Sequence, residues 1–144
     1  MNRRELLNGL GIAALAATVA PLTQAADDVH HHHGAAHAAL IAAALRCMDL
    51  GESCVAHCNT VLATGDGSLA YCQTTAMDTV AICAALHRLA QTNSPHLAKV
   101  AAAARDICLT CEEECRKHAA KHDACKACGE ACADCAKQCA ALAA

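Results

Sequence analysis

Residues 125–139 read CKACGEACADCAKQC, a stretch in which cysteine recurs at alternating steps of three and four residues. Side chains at these steps share one face of an α-helix, and in a helical bundle that face carries Leu or Ile directed at the partner helices. Here the thiol takes the place of the hydrocarbon. The stretch therefore predicts a helix whose core-facing stripe is made of sulfur.

The remaining cysteines repeat this pattern elsewhere in the chain, which has 13 in total. Cys108, Cys111 and Cys115 again follow steps of three and four residues. Cys72 and Cys83 are separated by about three helical turns, at roughly 3.6 residues per turn. The first predicted helix contributes Cys47, Cys54 and Cys58. The spacing thus allows every cysteine to face one interior.

Length and composition indicate one small domain with an unusual core. A chain of 144 residues suits a single domain. Aromatic residues make up 1% of it, with one Tyr and no Phe or Trp, so Ala and Cys supply most of the apolar character. The formal net charge is -3, and no basic patch invites nucleic acid.

Breaks in the helical pattern divide the chain into predicted helices. The turn residues 64–67 end the first helix, and residues 93–95 separate the second from the third, with Ser94 as the predicted N-cap. Asp123 is the predicted N-cap of the last helix. The predicted helices span residues 35–63, 68–91, 95–119 and 124–141. Helices joined by short loops predict an all-α fold, an antiparallel up-down four-helix bundle with a cysteine-lined core over residues 35–144.

The register of such a bundle predicts that its two ends differ, because the height of each residue follows from its distance to a loop. An apolar plug is predicted at the end near Ser94, formed by Leu40, Leu86, Leu97 and Leu142. A mouth of sulfur and imidazole is predicted at the other end, formed by His57, Cys58, Cys72, Cys115, His118 and Cys125. Cys125 lies in a first helical turn, which predicts a lowered thiol pKa.

The first 25 residues have the pattern of an export signal. Arg3 and Arg4 precede the apolar stretch 6–20, and the local sequence resembles a twin-arginine signal. An ordinary secretory signal and a membrane anchor are the alternatives, although the apolar run is shorter than the ~20 residues that a span needs. The pattern predicts a periplasmic or extracellular protein, with no other segment able to cross a membrane. Residues 26–34 are predicted to be a flexible His-rich tail.

Disulfide bonds are the first alternative explanation for so many cysteines in an exported chain. Cysteines three or four apart on a helix have Cβ atoms about 5–6 Å apart, whereas a disulfide needs them about 3.8 Å apart. A second alternative treats Cys as a small hydrophobic residue, but replacing a whole stripe of Leu would leave space unfilled. Metal is the natural filler of that space.

Softness and charge decide which metal suits the predicted core. Soft thiolates favour Cu(I), Zn(II) or iron–sulfur clusters, and the last of these use cysteines on loops that wrap the cluster. Zinc bound by four thiolates retains excess negative charge. One Cu(I) per thiolate cancels the charge, so a long array of ions can lie in a dry core.

The pattern resembles the copper storage proteins, which are cysteine-filled four-helix bundles. The resemblance covers residues 35–144 and is most specific at 125–139, with support from 54–58 and 108–115. It implies many bound Cu(I) ions, a homotetramer, and twin-arginine signals in the exported branch. It departs at the mouth, where Val61, Thr64 and Leu69 replace the methionines that exported members tend to carry. The implied metal ligands are Cys47, Cys54, Cys58, Cys72, Cys83, Cys108, Cys111, Cys115, Cys125, Cys128, Cys132, Cys135, Cys139 and, at the entrance, His57.

The main hypothesis is therefore a non-enzymatic, exported store of Cu(I), used for copper supply or for detoxification. A zinc-binding or metallothionein-like protein is one alternative, and an exported interaction module stapled by disulfides is another. No nucleophile and base pair suggests catalysis, and the Cys-x-x-Cys pairs lack the strand-to-helix setting of redox motifs. The acidic run 112–114 is predicted to be a solvated helix face.

Overall fold

The computed structural model describes residues 36–142, and these form a bundle of α-helices. The helices are α1 (Ala38–Leu62), α2 (Ala70–Gln91), α3 (Leu97–His118) and α4 (Asp123–Ala140), with a short 3-10 helix (Gly67–Leu69) before α2. Each lies within a few residues of its predicted bounds. The predicted signal (1–25) and the predicted tail (26–34) lie outside the described residues.

The helices pack in the order expected for an up-down bundle. α1 packs against α2 and α4, and α3 packs against α2 and α4. The pairs α1 with α3 and α2 with α4 are therefore diagonal across the bundle axis. The predicted fold class, an all-α antiparallel four-helix bundle, is confirmed.

The helix starts follow local capping chemistry. The Ser94 side-chain oxygen accepts a hydrogen bond from the backbone N–H of His96 at 3.2 Å, as an N-cap does, although the continuous helix begins at Leu97. The prediction for α4 is wrong by one residue. His122 is the N-cap, with extended backbone, and Asp123 is the first helical residue. Its carboxylate there lies near the positive end of the helix dipole.

Two glycines permit the close helix contacts that narrow the bundle. A β-carbon at Gly51 of α1 would lie 2.7 Å from Cγ2 of Val80 on α2. A β-carbon at Gly129 of α4 would lie 3.2 Å from Cβ of Cys115 on α3. The absent side chains thus let α1 approach α2, and α4 approach α3, at these points.

One end of the bundle is closed by leucine side chains. Leu40, Leu86 and Leu97 are at most 4% exposed, and Leu142 packs against the same core. His37 at the start of α1 contacts Asn93 in the loop between α2 and α3, with Nε2 and Oδ1 3.1 Å apart. This end, which we call the closed end, agrees with the predicted apolar plug.

The second helix is apolar enough to satisfy a membrane-span test on length and composition alone. The segment Gly67–Gln91 has a mean hydropathy of 1.2. The prediction that no segment beyond the signal could cross a membrane therefore does not hold on composition. In the structure this segment buries Cys72, Cys83 and Leu86 inside the bundle.

Candidate metal centre

All 13 cysteines lie in the bundle interior as free thiols. Each is 0% exposed except Cys139, at 1%. None of them forms a disulfide, so the disulfide-stapled alternative finds no support in the described residues. The core position that Leu occupies in an ordinary bundle is filled by sulfur over most of the length of the bundle.

The short sulfur contacts mostly join different helices. Among the described residues, Cys111 and Cys115 form the one hydrogen-bonding thiol pair within a single helix, with Sγ atoms 3.9 Å apart. Contacts between helices measure 3.6 Å for Cys47–Cys132, 3.7 Å for Cys72–Cys115, 3.8 Å for Cys72–Cys125, Cys83–Cys108 and Cys83–Cys135, and 3.9 Å for Cys54–Cys72, Cys54–Cys125 and Cys111–Cys128. Most of the short thiol contacts therefore join neighbouring helices across the bundle, and few join cysteines of one helix.

The thiols form two groups. Each group contains one or more sets of cysteines, and within a set the sulfur atoms lie within 4.8 Å of one another. The inner thiol group lies towards the closed end. It consists of one set of four cysteines and of Cys139, which lies beside Cys135. Its set consists of Cys47, Cys83, Cys108 and Cys135. The outer thiol group consists of three linked sets: Cys54, Cys58, Cys72 and Cys125; Cys54, Cys115 and Cys128; and Cys111, Cys128 and Cys132.

The shared sulfurs favour an array of ions over isolated sites. Cys54 and Cys128 each belong to two of the outer sets. Two thiolates on one tetrahedral ion, with metal–sulfur bonds near 2.3 Å, lie about 3.8 Å apart, which matches the observed separations. A thiolate shared between neighbouring sets can bridge two soft ions. The arrangement can therefore hold many soft cations in contact with one another.

The protons of the clustered cysteine thiols are displaced when a metal binds. Burial raises the pKa of the Cys58 thiol to about 12, and the nearby Cys54 thiolate contributes to that rise. Burial also raises the pKa of Cys125, which corrects the prediction of a lowered value, since desolvation outweighs the helix terminus. Hydrogen bonds from Cys115 and other neighbours lower the pKa of Cys54. A bound cation therefore takes the place of protons held among the thiols.

The end opposite the leucines, which we call the mouth, carries imidazoles beside the outer thiol group. His57 Nε2 lies 2.9 Å from Nδ1 of His122, and both side chains are partly buried. His57 belongs to none of the close thiol sets among the described residues. Sequence reasoning missed His122 as its partner, although His122 directly precedes the start of α4.

A buried carboxylate supports the mouth from α3. Glu114 is 6% exposed and accepts hydrogen bonds from Lys117 at 2.6 Å and from His118 at 3.1 Å. The prediction that residues 112–114 form a solvated face is thus wrong for Glu114. The Lys117 hydrogen bond, with that of His118, lowers the pKa of this carboxyl. His118 is accordingly turned to Glu114.

Thr79 of α2 is an oxygen-bearing side chain in the thiol core. It is 0% exposed, and among the described residues no group meets the distance and angle of a hydrogen bond to its hydroxyl. The hydroxyl faces the Cys111 thiol, whose pKa is lowered chiefly by Cys115 and to a smaller extent by Thr79. It lies on the stripe of α2 that carries Cys72 and Cys83.

A helical bundle with an interior of free, clustered thiols defines a class of protein that binds soft metal ions. A sequence model described as "Csp: Copper storage protein" matches residues 31–144 of the chain. The chain belongs to the copper storage protein family.

Solved structures of related bundles support this assignment. Apo copper storage protein 3 from Bacillus subtilis is 36% identical, with a TM-score of 0.66, and the match covers 74% of this chain and 98% of that one. The Cu(I)-bound copper storage protein BsCsp3 is 33% identical over 78% of this chain and 99% of that one, with a TM-score of 0.65. Ccsp from Streptomyces lividans, loaded with 10 copper equivalents, is 29% identical over 75% of this chain and 83% of that one, with a TM-score of 0.69.

Proposed function

We propose that this protein stores Cu(I), binding about one ion per cysteine through thiolates inside the bundle, for copper supply or detoxification. The observation that carries the proposal is the set of 13 buried, free thiols in shared clusters. Relatives of the same fold include a Cu(I)-bound protein and one loaded with 10 copper equivalents.

The charge of the core favours Cu(I) over divalent ions. Each thiol that binds loses a proton and becomes a negative thiolate in an interior that excludes water. A monovalent cation per thiolate leaves the array near neutral, which avoids the large cost of burying net charge. Thiolates shared between sets provide the bridges that such an array needs.

All of the cysteines act as ligands in this proposal, and His57 acts with His122 at the mouth. The separation of 2.9 Å between their ring nitrogens brings two imidazoles together. In the sequence His57 directly precedes Cys58, and His122 lies three residues before Cys125. Neutral imidazole is a ligand that copper accepts. Ions would meet these nitrogens before they reach the outer thiol group.

Zinc binding is the second candidate, and one specific observation favours it. The inner set of Cys47, Cys83, Cys108 and Cys135 has the ligand number of a closed tetrahedral zinc site. Copper remains the main proposal because the outer sets share ligands, whereas structural zinc sites have four ligands of their own. Zinc would fill about one site per four cysteines.

An anaerobic titration of fully reduced protein with Cu(I) against a competing chelator tests the proposal. Protein concentration should come from amino-acid analysis, since the chain has one Tyr and no Trp. Tight uptake near one ion per cysteine is expected. Saturation at three or four ions, or tight Zn(II) binding that Cu(I) does not displace, would overturn copper storage.

In this proposal the protein is not an enzyme, and copper ions are its ligands. Neither nucleic acid nor a membrane is a partner of the mature chain. Sedimentation of the mature protein with lipid vesicles tests the second point, and it matters because α2 is apolar enough to span a bilayer. Recovery in the vesicle pellet would contradict it.

We also propose export through the twin-arginine route to the periplasm or cell exterior, directed by residues 1–25. A folded bundle exported this way keeps its thiols buried before it meets oxidants. Replacing Arg3 and Arg4 by Lys should retain the protein in the cytoplasm. Unchanged export of that variant, blocked instead when the unfolded-chain route is inhibited, would contradict this step.

A homotetramer is the proposed assembly, by resemblance to the family. Exposed apolar side chains on the described bundle offer contact surface, among them Tyr71 at 58% and Met77 at 55% exposed. Sedimentation equilibrium of the mature protein should give four times the chain mass. A concentration-independent monomer would exclude the tetramer while leaving copper binding untouched.

A further inference from the structure

The two thiol groups are joined at one narrow place. Among the described residues, the shortest thiol contact between them joins Cys47 of the inner group to Cys132 of the outer group, at 3.6 Å. Cys108 of the inner group also interacts with the Cys132 thiol. The Sγ atom of Cys132 also lies within 4.8 Å of those of Cys111 and Cys128. Cys132 therefore has close neighbours in both groups.

Few thiols lie at the level where the two groups meet, and the sequences of α1 and α2 explain why. At this height the core-facing positions of these helices carry no thiol. Gly51 of α1 lies against Val80 and near the Ala76 carbonyl of α2, so these residues share one level. Thr79, one turn from Cys83, faces Cys111 across the core. Thiols at this level thus come from α3 and α4.

The inner thiol group lies beyond this level, on the side of the closed end. Leu40, Leu86 and Leu97 seal that end with at most 4% exposure. The mouth, with His57 and Cys58, lies at the opposite end of α1. Ions that enter at the mouth reach the inner group after they pass the level of Gly51 and Thr79.

We infer that Cys132 is the transfer ligand through which Cu(I) passes from the outer to the inner thiol group. The inference rests on the proposed function. A Cu–S bond to Cys132 forms as the bond to Cys111 or Cys128 breaks, and the next exchange moves the ion to Cys47. Copper stays Cu(I) throughout. In each exchange, the proton that the new ligand releases is taken up by the thiolate that the ion has left, first by Cys111 or Cys128 and then by Cys132.

The test compares Cys132→Ala with Cys139→Ala, a matched control. Both variants remove one buried α4 cysteine, but Cys139 lies beyond the crossing point, beside Cys135. We expect the final capacity of each to fall by one ion. Filling of the inner group should slow about tenfold or more in Cys132→Ala alone, since a lost intermediate ligand raises the barrier to transfer.

Two readouts make the comparison specific. Anaerobic stopped-flow loading gives the rate, and alkylation followed by mass spectrometry at intermediate times shows which thiols copper protects. In Cys132→Ala the inner thiols should stay reactive towards the alkylating reagent while the outer ones are protected. Equal helical circular dichroism of both apo variants verifies that the bundle is intact.

A rescue variant separates transfer from general damage. Thr79→Cys in the Cys132→Ala background places a thiol beside Cys111 and one turn from Cys83, and it should restore rapid filling of the inner group. Equal loading rates of Cys132→Ala and Cys139→Ala would overturn the inference. Weak copper uptake by the unmodified protein would instead overturn the proposed function, so the two failures are distinguishable.

Discussion

Gly51 and Val80 hold α1 and α2 at a separation that excludes a β-carbon at position 51, because that atom would lie 2.7 Å from Val80 Cγ2. Val is branched at Cβ and has little freedom to rotate away. The contact therefore fixes how closely the two helices approach at the level where the thiol core narrows.

Replacing Gly51 by Ala should lower the free energy of unfolding of the reduced apo protein by about 1 kcal/mol. Overpacking costs roughly 1–3 kcal/mol, and the better helix propensity of Ala returns up to about 1 kcal/mol. Urea unfolding monitored by circular dichroism measures the difference.

Gly67→Ala is the matched control, since a β-carbon there meets nothing within 4 Å and the backbone is not left-handed. It should leave stability unchanged within about 0.5 kcal/mol. Adding Val80→Ala to Gly51→Ala should relieve the overpacking component. If Gly51→Ala has the same effect in the parent protein and in the Val80→Ala background, this contact is not the source of the destabilisation.

The fold was predictable because its signals are local. The cysteine period, the Gly65–Gly67 break and the Ser94–Pro95 start each specify a helix boundary or face without reference to the rest of the chain. The start of α4 was missed by one residue because both His122 and Asp123 are compatible with a cap, and the extended backbone of His122 decides between them.

The details of the site were less predictable because they depend on distances between helices. Spacing along α4 indicates that its cysteines share a face, but not that Cys132 is the one in hydrogen-bonding contact with Cys47. The burial of Glu114 likewise follows from its place beside Lys117 and His118. The run of three glutamates at 112–114 does not indicate which of them is buried. The pKa of Cys125 depends on desolvation that no sequence pattern states.

Replacing Glu114 by Gln should destabilise the apo protein by about 1–2 kcal/mol, because it weakens charge-assisted hydrogen bonds to Lys117 and His118. Glu113→Gln, at an exposed neighbouring position, should change stability by less than about 0.5 kcal/mol. Thermal unfolding at neutral pH compares the two.

The dependence of protein stability on acidic pH provides a second test of the role of Glu114. The folded-state pKa of Glu114 is lowered, so its contribution to stability is present above the usual value near 4.3 and is lost as pH falls through the folded value. Glu114→Gln should therefore flatten the loss of stability between about pH 5 and pH 3. Parallel acid profiles for the parent protein and Glu114→Gln would contradict the lowered pKa of Glu114.

Alkaline pH should destabilise the apo protein through Cys58. Its pKa in the fold is raised to about 12, against a usual value near 8.5 in the unfolded chain. Between these values the unfolded chain binds fewer protons, so stability is full below about pH 8.5 and falls as pH rises. Cys54, with a lowered pKa, contributes in the opposite direction.

The Cys58→Ala variant isolates this contribution. The difference in melting temperature between about pH 7 and about pH 9.5, on either side of the usual thiol pKa, should be smaller in Cys58→Ala than in the parent protein. Samples must be reduced and anaerobic, because disulfide formation would mask the titration. An equal or larger alkaline loss in the variant would show that Cys58 is not held protonated by the fold.

Removing the imidazoles at the mouth should slow copper uptake without lowering capacity. His57→Ala and His122→Ala each break the pair whose ring nitrogens lie 2.9 Å apart, whereas the thiols that hold the stored ions are unchanged. Stopped-flow loading with a Cu(I)–chelator donor should show a slower first phase in both variants. His96→Ala, exposed beside the closed end, is the control and should load at the parent rate. If the two mouth variants also load at that rate, ions enter without these imidazoles, and His57 has no role as an entrance ligand.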